Sequence, residues 1–139
     1  MKAWVLDTNV VVSGFLKPHA PPARLLSAFF ARRLRLVYDA RMLAEYGEVL
    51  ARPEFGISHH DYIGFLLMLR TSGELLTPTP VVIALPDLDD LPFIETGLAS
   101  DEKIVVTKNL VHFQPAAKLG LKILLPAEAL RAVEDGAAS

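Results

Sequence analysis

Apolar and polar positions along this chain follow two rhythms. Short unbroken apolar runs alternate with longer stretches that repeat every three to four residues. Residues Ala3 to Leu6 form a run of the first kind, as expected for a strand buried on both faces of a parallel sheet. Leu34 to Tyr38, Val81 to Leu85, Lys103 to Val106 and Leu121 to Leu125 read as further strands. Between them, Pro21-Pro22 opens a helix that continues to Phe30, and Arg41 to Ala51 makes another that ends near Pro53. A helix starting at Ser58 or Asp61 runs to Gly73, Leu91 to Ala99 follows an acidic loop, and Pro126 opens a last helix through Ala132. Such alternation predicts a single three-layer α/β/α domain around a mostly parallel, roughly five-stranded sheet. The domain is expected to span 1–134, with 135–139 as a flexible C-terminal tail.

In a sheet of this class the active crevice lies beyond the carboxyl ends of the strands, so polar groups at those ends carry information. Asp7 directly follows the first strand, where a turn or cap aspartate is common, but a charge abutting a buried strand is costly unless it is used. Asn9, Ser13 and Thr107 are donors placed to orient such a carboxylate, although ordinary loop bonding accounts for them equally well. On the helix around Tyr46, stepping about 100° per residue puts Glu45 at the edge of the apolar face and Glu48 nearly opposite it. An intrahelical pair of Glu45 with Arg41 is the competing explanation. Asp87, Asp89 and Asp90 crowd the loop before Pro92, where one acid would suffice to cap the helix and three repel one another. Val106-Thr107-Lys108-Asn109 closes the fourth strand with polar groups at the same end.

Composition narrows the chemistry. With no cysteine, thiolate metal sites, disulfides and cysteine catalysis are excluded. The four histidines, His19, His59, His60 and His112, make no ligand pair at helical spacing and read as surface or capping residues. An oxygen-only donor set suits Mg²⁺ or Mn²⁺ rather than zinc. There is no phosphate-binding GxxxxGK[ST] loop and no GxSxG elbow. Against 14 basic residues stand 16 acidic ones, so nucleic-acid binding by bulk charge is not indicated; cations held among the carboxylates would supply the missing positive charge. The short apolar run after Lys2 is broken by Asp7 and Asn9, which argues against a signal peptide, and no stretch of about 18 apolar residues exists to span a membrane. A cytoplasmic location is the expectation.

Four segments in order resemble the PIN-domain nucleases: Val5-Leu6-Asp7-Thr8-Asn9-Val10, then Ala44-Glu45-Tyr46-Gly47-Glu48-Val49-Leu50 with Arg52-Pro53-Glu54-Phe55, then Asp87-Leu88-Asp89-Asp90-Leu91-Pro92-Phe93, and finally Thr107-Lys108-Asn109-Leu110-Val111-His112-Phe113. The nearest branch comprises toxins of toxin–antitoxin systems. The resemblance implies metal-assisted hydrolysis of RNA, with Asp7, Glu45 and Asp90 as catalytic residues that hold Mg²⁺ or Mn²⁺ and Asn109 as a further metal contact. Many members have an aspartate where this chain has Asn109 and a glycine where it has Lys108, which leaves one ion or two open. Arg32, Arg33, Arg35 and Lys108 are candidate RNA contacts, and a solvated basic helix end explains the arginines as well.

Two other readings stand beside this one. A PIN fold without catalysis would act as a binding module, and an unrelated α/β phosphatase would use Asp7 as a nucleophile beside Lys108 and Asp90. The helix from Asp61 to Leu69 is apolar almost all round, so a homodimer or an antitoxin helix is an expected occupant of its free side, with burial in the domain as the alternative.

Overall fold

The centre of the sheet is built from runs in which nearly every side chain is apolar, so both faces must be covered. The computed structural model describes residues 1–138, with side chains through Asp135. Strands β1 (Ala3–Leu6), β2 (Arg35–Tyr38), β3 (Glu74–Leu75), β4 (Ile104–Val106) and β5 (Lys122–Leu124) form one parallel sheet in the order β3-β2-β1-β4-β5. Trp4 to Leu6, Leu36 to Tyr38 and Ile104 to Val106 are buried throughout, as two covered faces require. The chain moves outward from β1 first toward β3 and then, by way of β4, toward β5. The strand order therefore reverses at the β1–β4 pair, where Leu6 stands beside Val106. This is the single-domain α/β architecture predicted from the pattern.

The helices are α1 (Thr8–Leu16), α2 (Pro21–Phe30), α3 (Ala40–Leu50), α4 (His59–Ser72), α5 (Leu91–Ala99), the single turn α6 (Leu110–Phe113) and α7 (Pro126–Ala138). Of these, α2, α3, α4, α5 and α7 lie close to their expected positions, and α1 and α6 are additional. The side chain of Ser58 caps α4, accepting from the N–H of Asp61, and Pro21-Pro22 starts α2. α7 continues past Ala132 to Ala138; of the expected tail 135–139, the side chains of 136–139 lie outside the described residues.

Besides the short turn α6, two regions differ from expectation. α1 has no counterpart among the elements predicted from the pattern, because Thr8, Asn9, Gly14 and three successive valines are poor helix formers. Burial overrides propensity: Val10, Val11 and Val12 enter the core, and α1 packs on α2 and α3. The expected strand at Val81 to Leu85 is an extended segment that joins no ladder, and β3 forms instead at Glu74–Leu75. Pro78, Pro80 and Pro86 flank the segment, and the N–H of Val81 donates to Glu95 (2.8 Å) instead of to a neighbouring strand. Its side chains still alternate, with Val81, Ile83 and Leu85 packed on the core and Val82 and Ala84 exposed.

On α4, Phe65 and Leu69 are fully buried. The Phe65 ring meets Phe15, Phe29, Phe30 and Tyr46 edge-on, with centroids 5.8–6.4 Å apart. Tyr62, Leu66 and Met68 are partly buried against the core and Leu67 is exposed, so burial in the domain accounts for part of the apolar surface of this helix. No helix among the described residues is long and apolar enough to cross a membrane.

α5 lies against β1, β2 and β4. A Cβ at Gly97 would stand 2.7 Å from Val105 Cγ2 and 2.8 Å from Leu121 Cδ1, whereas one at Gly64, within α4, would meet nothing within 4 Å. Gly97→Ala is expected to lower stability by about 1–3 kcal/mol through overpacking. Gly64→Ala should raise it by about 0.5–1 kcal/mol through helix propensity. Urea unfolding of both variants checks the ranking; the reverse order would contradict the close seating of α5 on the sheet.

Candidate active site

Asp7 ends β1 and begins α1. Its N–H donates to Val106 C=O (2.9 Å), so the strand ladder carries straight into the residue. One carboxylate oxygen accepts from the N–H of Thr8 (2.8 Å), which caps α1, and the other accepts from the Thr107 hydroxyl (2.7 Å). Only 6% of Asp7 is exposed. Burial pushes its carboxyl up to about 6; the Thr107 and Thr8 hydrogen bonds oppose this, while the charges of Asp90 and Glu45 push it further.

α3 brings Glu45 to the same place. Asp39 caps the helix, accepting from the N–H of Met42 (2.9 Å), and Met42, Tyr46 and Leu50 form its buried face. The buried Tyr46 hydroxyl donates to the carbonyl of Leu6, the residue before Asp7, so α3 is pinned to the end of β1. Burial first, and then the charges of Asp7, Glu45 and Asp39, hold the Tyr46 phenol well above its usual range, so it remains a neutral donor. Glu45 lies at the edge of this face and accepts from the Thr8 hydroxyl. The alternative pair with Arg41 does not form: Arg41 bridges the buried Asp39 (2.7 Å) and Glu95 (2.8 Å). Glu48 is exposed and pairs with Arg52 (3.0 Å).

The acidic loop supplies the third carboxylate. Asp87 accepts from the N–H of Asp89 (2.9 Å) and so caps the short turn Leu88–Asp90. Asp90 precedes α5 but makes no side-chain cap bond, so capping does not explain it. Partial burial raises its carboxyl, Asp87 and Asp89 add to the rise, and His112 opposes it. His112 Nδ1, on α6, stands 3.2 Å from Asp90 Oδ2. Helical spacing gives no hint of this role for His112; its place three residues after Asn109, in the segment that closes β4, is the signal in the sequence that points to it.

These groups line one cavity of about 480 Å³ at the carboxyl ends of β1 and β4, where the strand order reverses. Asp7, Glu45, Asp90, Asn9, Ser13, Lys108 and Asn109 are all in its wall, as are Thr8, Asp87, Asp89 and His112. Thr107 orients Asp7 as expected and also accepts from the N–H of Asn109 (3.0 Å). Ser13 is a correction: its hydroxyl accepts from Lys108 Nζ (2.7 Å) and does not touch Asp7. The carboxamide oxygen of Asn9 is buried without a partner. The arginines need a larger correction. The N–H of Arg35 donates to Lys2 C=O where β2 begins, and Arg32 and Arg35 line a separate cavity with Met1 and Leu34 at the amino ends of the strands. None of Arg32, Arg33 and Arg35 reaches the acidic cavity.

A family model described as the PIN domain matches residues 3–111, which takes in every residue of the cavity wall except His112. The chain belongs to the PIN-domain family. No curated protein matches it. PIN domains have a nuclease fold and generally use divalent metal ions, and the residues present here fit such an ion. Three carboxylates from separate elements face one space, the charges of Asp90 and Glu45 help to raise the Asp7 carboxyl while those of Asp87 and Asp89 help to raise Asp90, and a buried amide oxygen stands unsatisfied in the same wall.

The Asp7 carboxyl makes stability depend on pH in the metal-free PIN domain. Its folded value, about 6, exceeds the ordinary value of 3.8, so between them the native state binds more protons than the unfolded state. Stability therefore falls as pH rises through that window and levels off above it. Asp7→Asn should remove the share of this slope due to Asp7, leaving the smaller one from Asp90, and raise metal-free stability at pH 7.5 by up to about 3 kcal/mol. Denaturant unfolding of both proteins from pH 4 to 8, in chelator, checks this; an unchanged slope would show that Asp7 is not the buried titrating group.

Proposed function

We propose that this PIN domain is a ribonuclease that hydrolyses phosphodiester bonds with Mg²⁺ or Mn²⁺ held by Asp7, Glu45 and Asp90. One observation carries the reading. The Asp7 and Glu45 carboxylates make no ion pair among the described residues and Asp90 meets only His112, yet all three share one cavity. An uncompensated set of this kind is costly unless a cation completes it. A bound divalent cation supplies positive charge that activates water and offsets the charge of the reacting phosphate.

The protein's own residues do the positioning. Thr107 and the Thr8 N–H fix both oxygens of Asp7, the Thr8 hydroxyl holds Glu45, and His112 holds Asp90. Lys108 is in the wall with its ammonium bonded only to a neutral hydroxyl, so its charge is free to meet an RNA phosphate. Asn109 offers a neutral oxygen at the rim. Arg32, Arg33 and Arg35, at the other end of the strands, take no part. A covalent phosphatase route is less well served, because Asp7 is buried and each of its oxygens already accepts a hydrogen bond. RNA as the substrate and a toxin role checked by an antitoxin rest on the resemblance of the four sequence segments.

Cleavage of single-stranded RNA should require Mg²⁺ or Mn²⁺ and stop in excess chelator. Asp7→Asn, Glu45→Gln and Asp90→Asn should each lower the rate by about 100-fold or more, the loss of several kcal/mol of charge stabilisation. Glu48→Gln should change it less than about twofold, as for any exposed surface substitution. A gel assay against RNA and single-stranded DNA of the same sequence reads both activity and substrate class. Full activity in chelator, or a damaging Glu48→Gln, would overturn this reading.

Thr107→Val tests the supporting hydrogen bond. Loss of such a contact should weaken Mn²⁺ binding by about 10- to 100-fold while leaving the fold intact. Calorimetric titration gives the constant, and unchanged binding would remove Thr107 from the site.

A further inference from the structure

Asp90 faces two neighbourhoods. It raises the carboxyl of Asp7 on one hand, and on the other it meets Asp87 and His112, whose ligand atoms with its own all lie within 4.8 Å of one another. The spacing suits a shared ion. Two ligands about 2.2 Å from one cation and at right angles to each other stand about 3 Å apart. Asp90 Oδ2 and His112 Nδ1, which meet directly in the metal-free protein, are 3.2 Å apart, so an ion bound there would replace the proton between them. Local structure holds the three groups in place: Asp87 is tied through one oxygen to the N–H of Asp89, leaving the other free, and α6 is anchored by the fully buried Phe113 beside His112. No lysine or arginine pairs with Asp87 or Asp90 among the described residues, so His112 alone offsets any of their charge.

We propose that Asp87, Asp90 and His112 hold a second divalent cation beside the one assigned to Asp7, Glu45 and Asp90. The imidazole gives this second position a preference for Mn²⁺ and similar transition ions over Mg²⁺, because a nitrogen donor suits them and an all-oxygen set does not discriminate in this way. The charge that a neutral Asn109 does not supply comes instead from Asp87. This inference rests on the reading of the cavity as a metal centre and adds a second ion and a nitrogen donor to it.

The test uses the full chain without RNA and Mn²⁺ as the probe. Titration followed by electron paramagnetic resonance counts bound ions, and electron spin-echo modulation detects a nitrogen bonded to Mn²⁺. The expected result is two ions per chain and a clear nitrogen coupling. His112→Gln should abolish the coupling and weaken one ion by about tenfold or more, and Asp87→Asn should weaken the same ion. Asp7→Asn should weaken the other ion and keep the coupling. In competition, Mg²⁺ should displace Mn²⁺ from this second position at a concentration about tenfold higher in the wild type than in His112→Gln. A single bound ion without nitrogen coupling, or coupling that survives His112→Gln, would overturn the proposal. Nitrogen-coupled Mn²⁺ in a protein that cleaves no RNA would instead overturn the nuclease reading and leave this one standing.

Discussion

A carboxylate buried at the end of the central strand governs how this molecule is put together. Asp7 cannot be left there unsupported, because a buried charge without partners costs several kcal/mol. Its support comes from three directions at once: the N–H of Thr8 at the start of α1, the hydroxyl of Thr107 after β4, and the β1–β4 ladder that sets Leu6 beside Val106. Each of these depends on strand order and register. A slip of β4 by one residue would remove Thr107 from Asp7 and turn a buried valine toward the crevice. Tyr46 then ties α3 to the carbonyl just before Asp7, which delivers Glu45, and α5 seats on the same strands with Asp90 at its entrance.

The fold treats its acids in two ways, and the contrast separates support from chemistry. Asp39 and Glu95 are buried too, but Arg41 bridges both, Asp39 caps α3, and Glu95 holds the N–H of Val81. They form a neutralised latch that fastens the extended segment leading to the acidic loop. Asp7, Glu45, Asp87 and Asp90 have no such cation, and two of them carry raised carboxyls. Lys108, which would neutralise them if it reached them, is turned onto Ser13. The protein thus keeps negative charge unpaired in one cavity while pairing it elsewhere, as a cation site needs.

Much of this is legible in the sequence, because unbroken apolar runs and proline or serine helix starts are local signals. The same holds for Asp7, whose position after a buried strand already implies a use, and for the helical phase that separates Glu45 from Glu48. The features that are not legible depend on tertiary contact. α1 forms against the propensity of its valines because the core buries them. The segment from Val81 to Leu85 has strand-like residues but lacks a free neighbour, since its first donor is taken by Glu95, distant in sequence. Ser13 and the three arginines have side chains of the expected type in the wrong places, and composition cannot tell one end of a strand from the other. His112 escapes a reading based on ligand pairs at helical spacing, because its partners, Asp87 and Asp90, are remote in sequence.

The most direct test of the metal centre is the proton balance of cation binding at pH 6. Binding requires the Asp7 carboxyl to be ionised, and its raised value of about 6 leaves it partly protonated there. Titrating Mn²⁺ into the protein calorimetrically, in buffers of different ionisation enthalpy, should reveal release of part of a proton from Asp7, a release that fades by pH 8. The Asp7→Asn protein should bind more weakly and lack that component. Tight binding with no proton released at pH 6, or an equal release from the Asn variant, would contradict a cation held by Asp7.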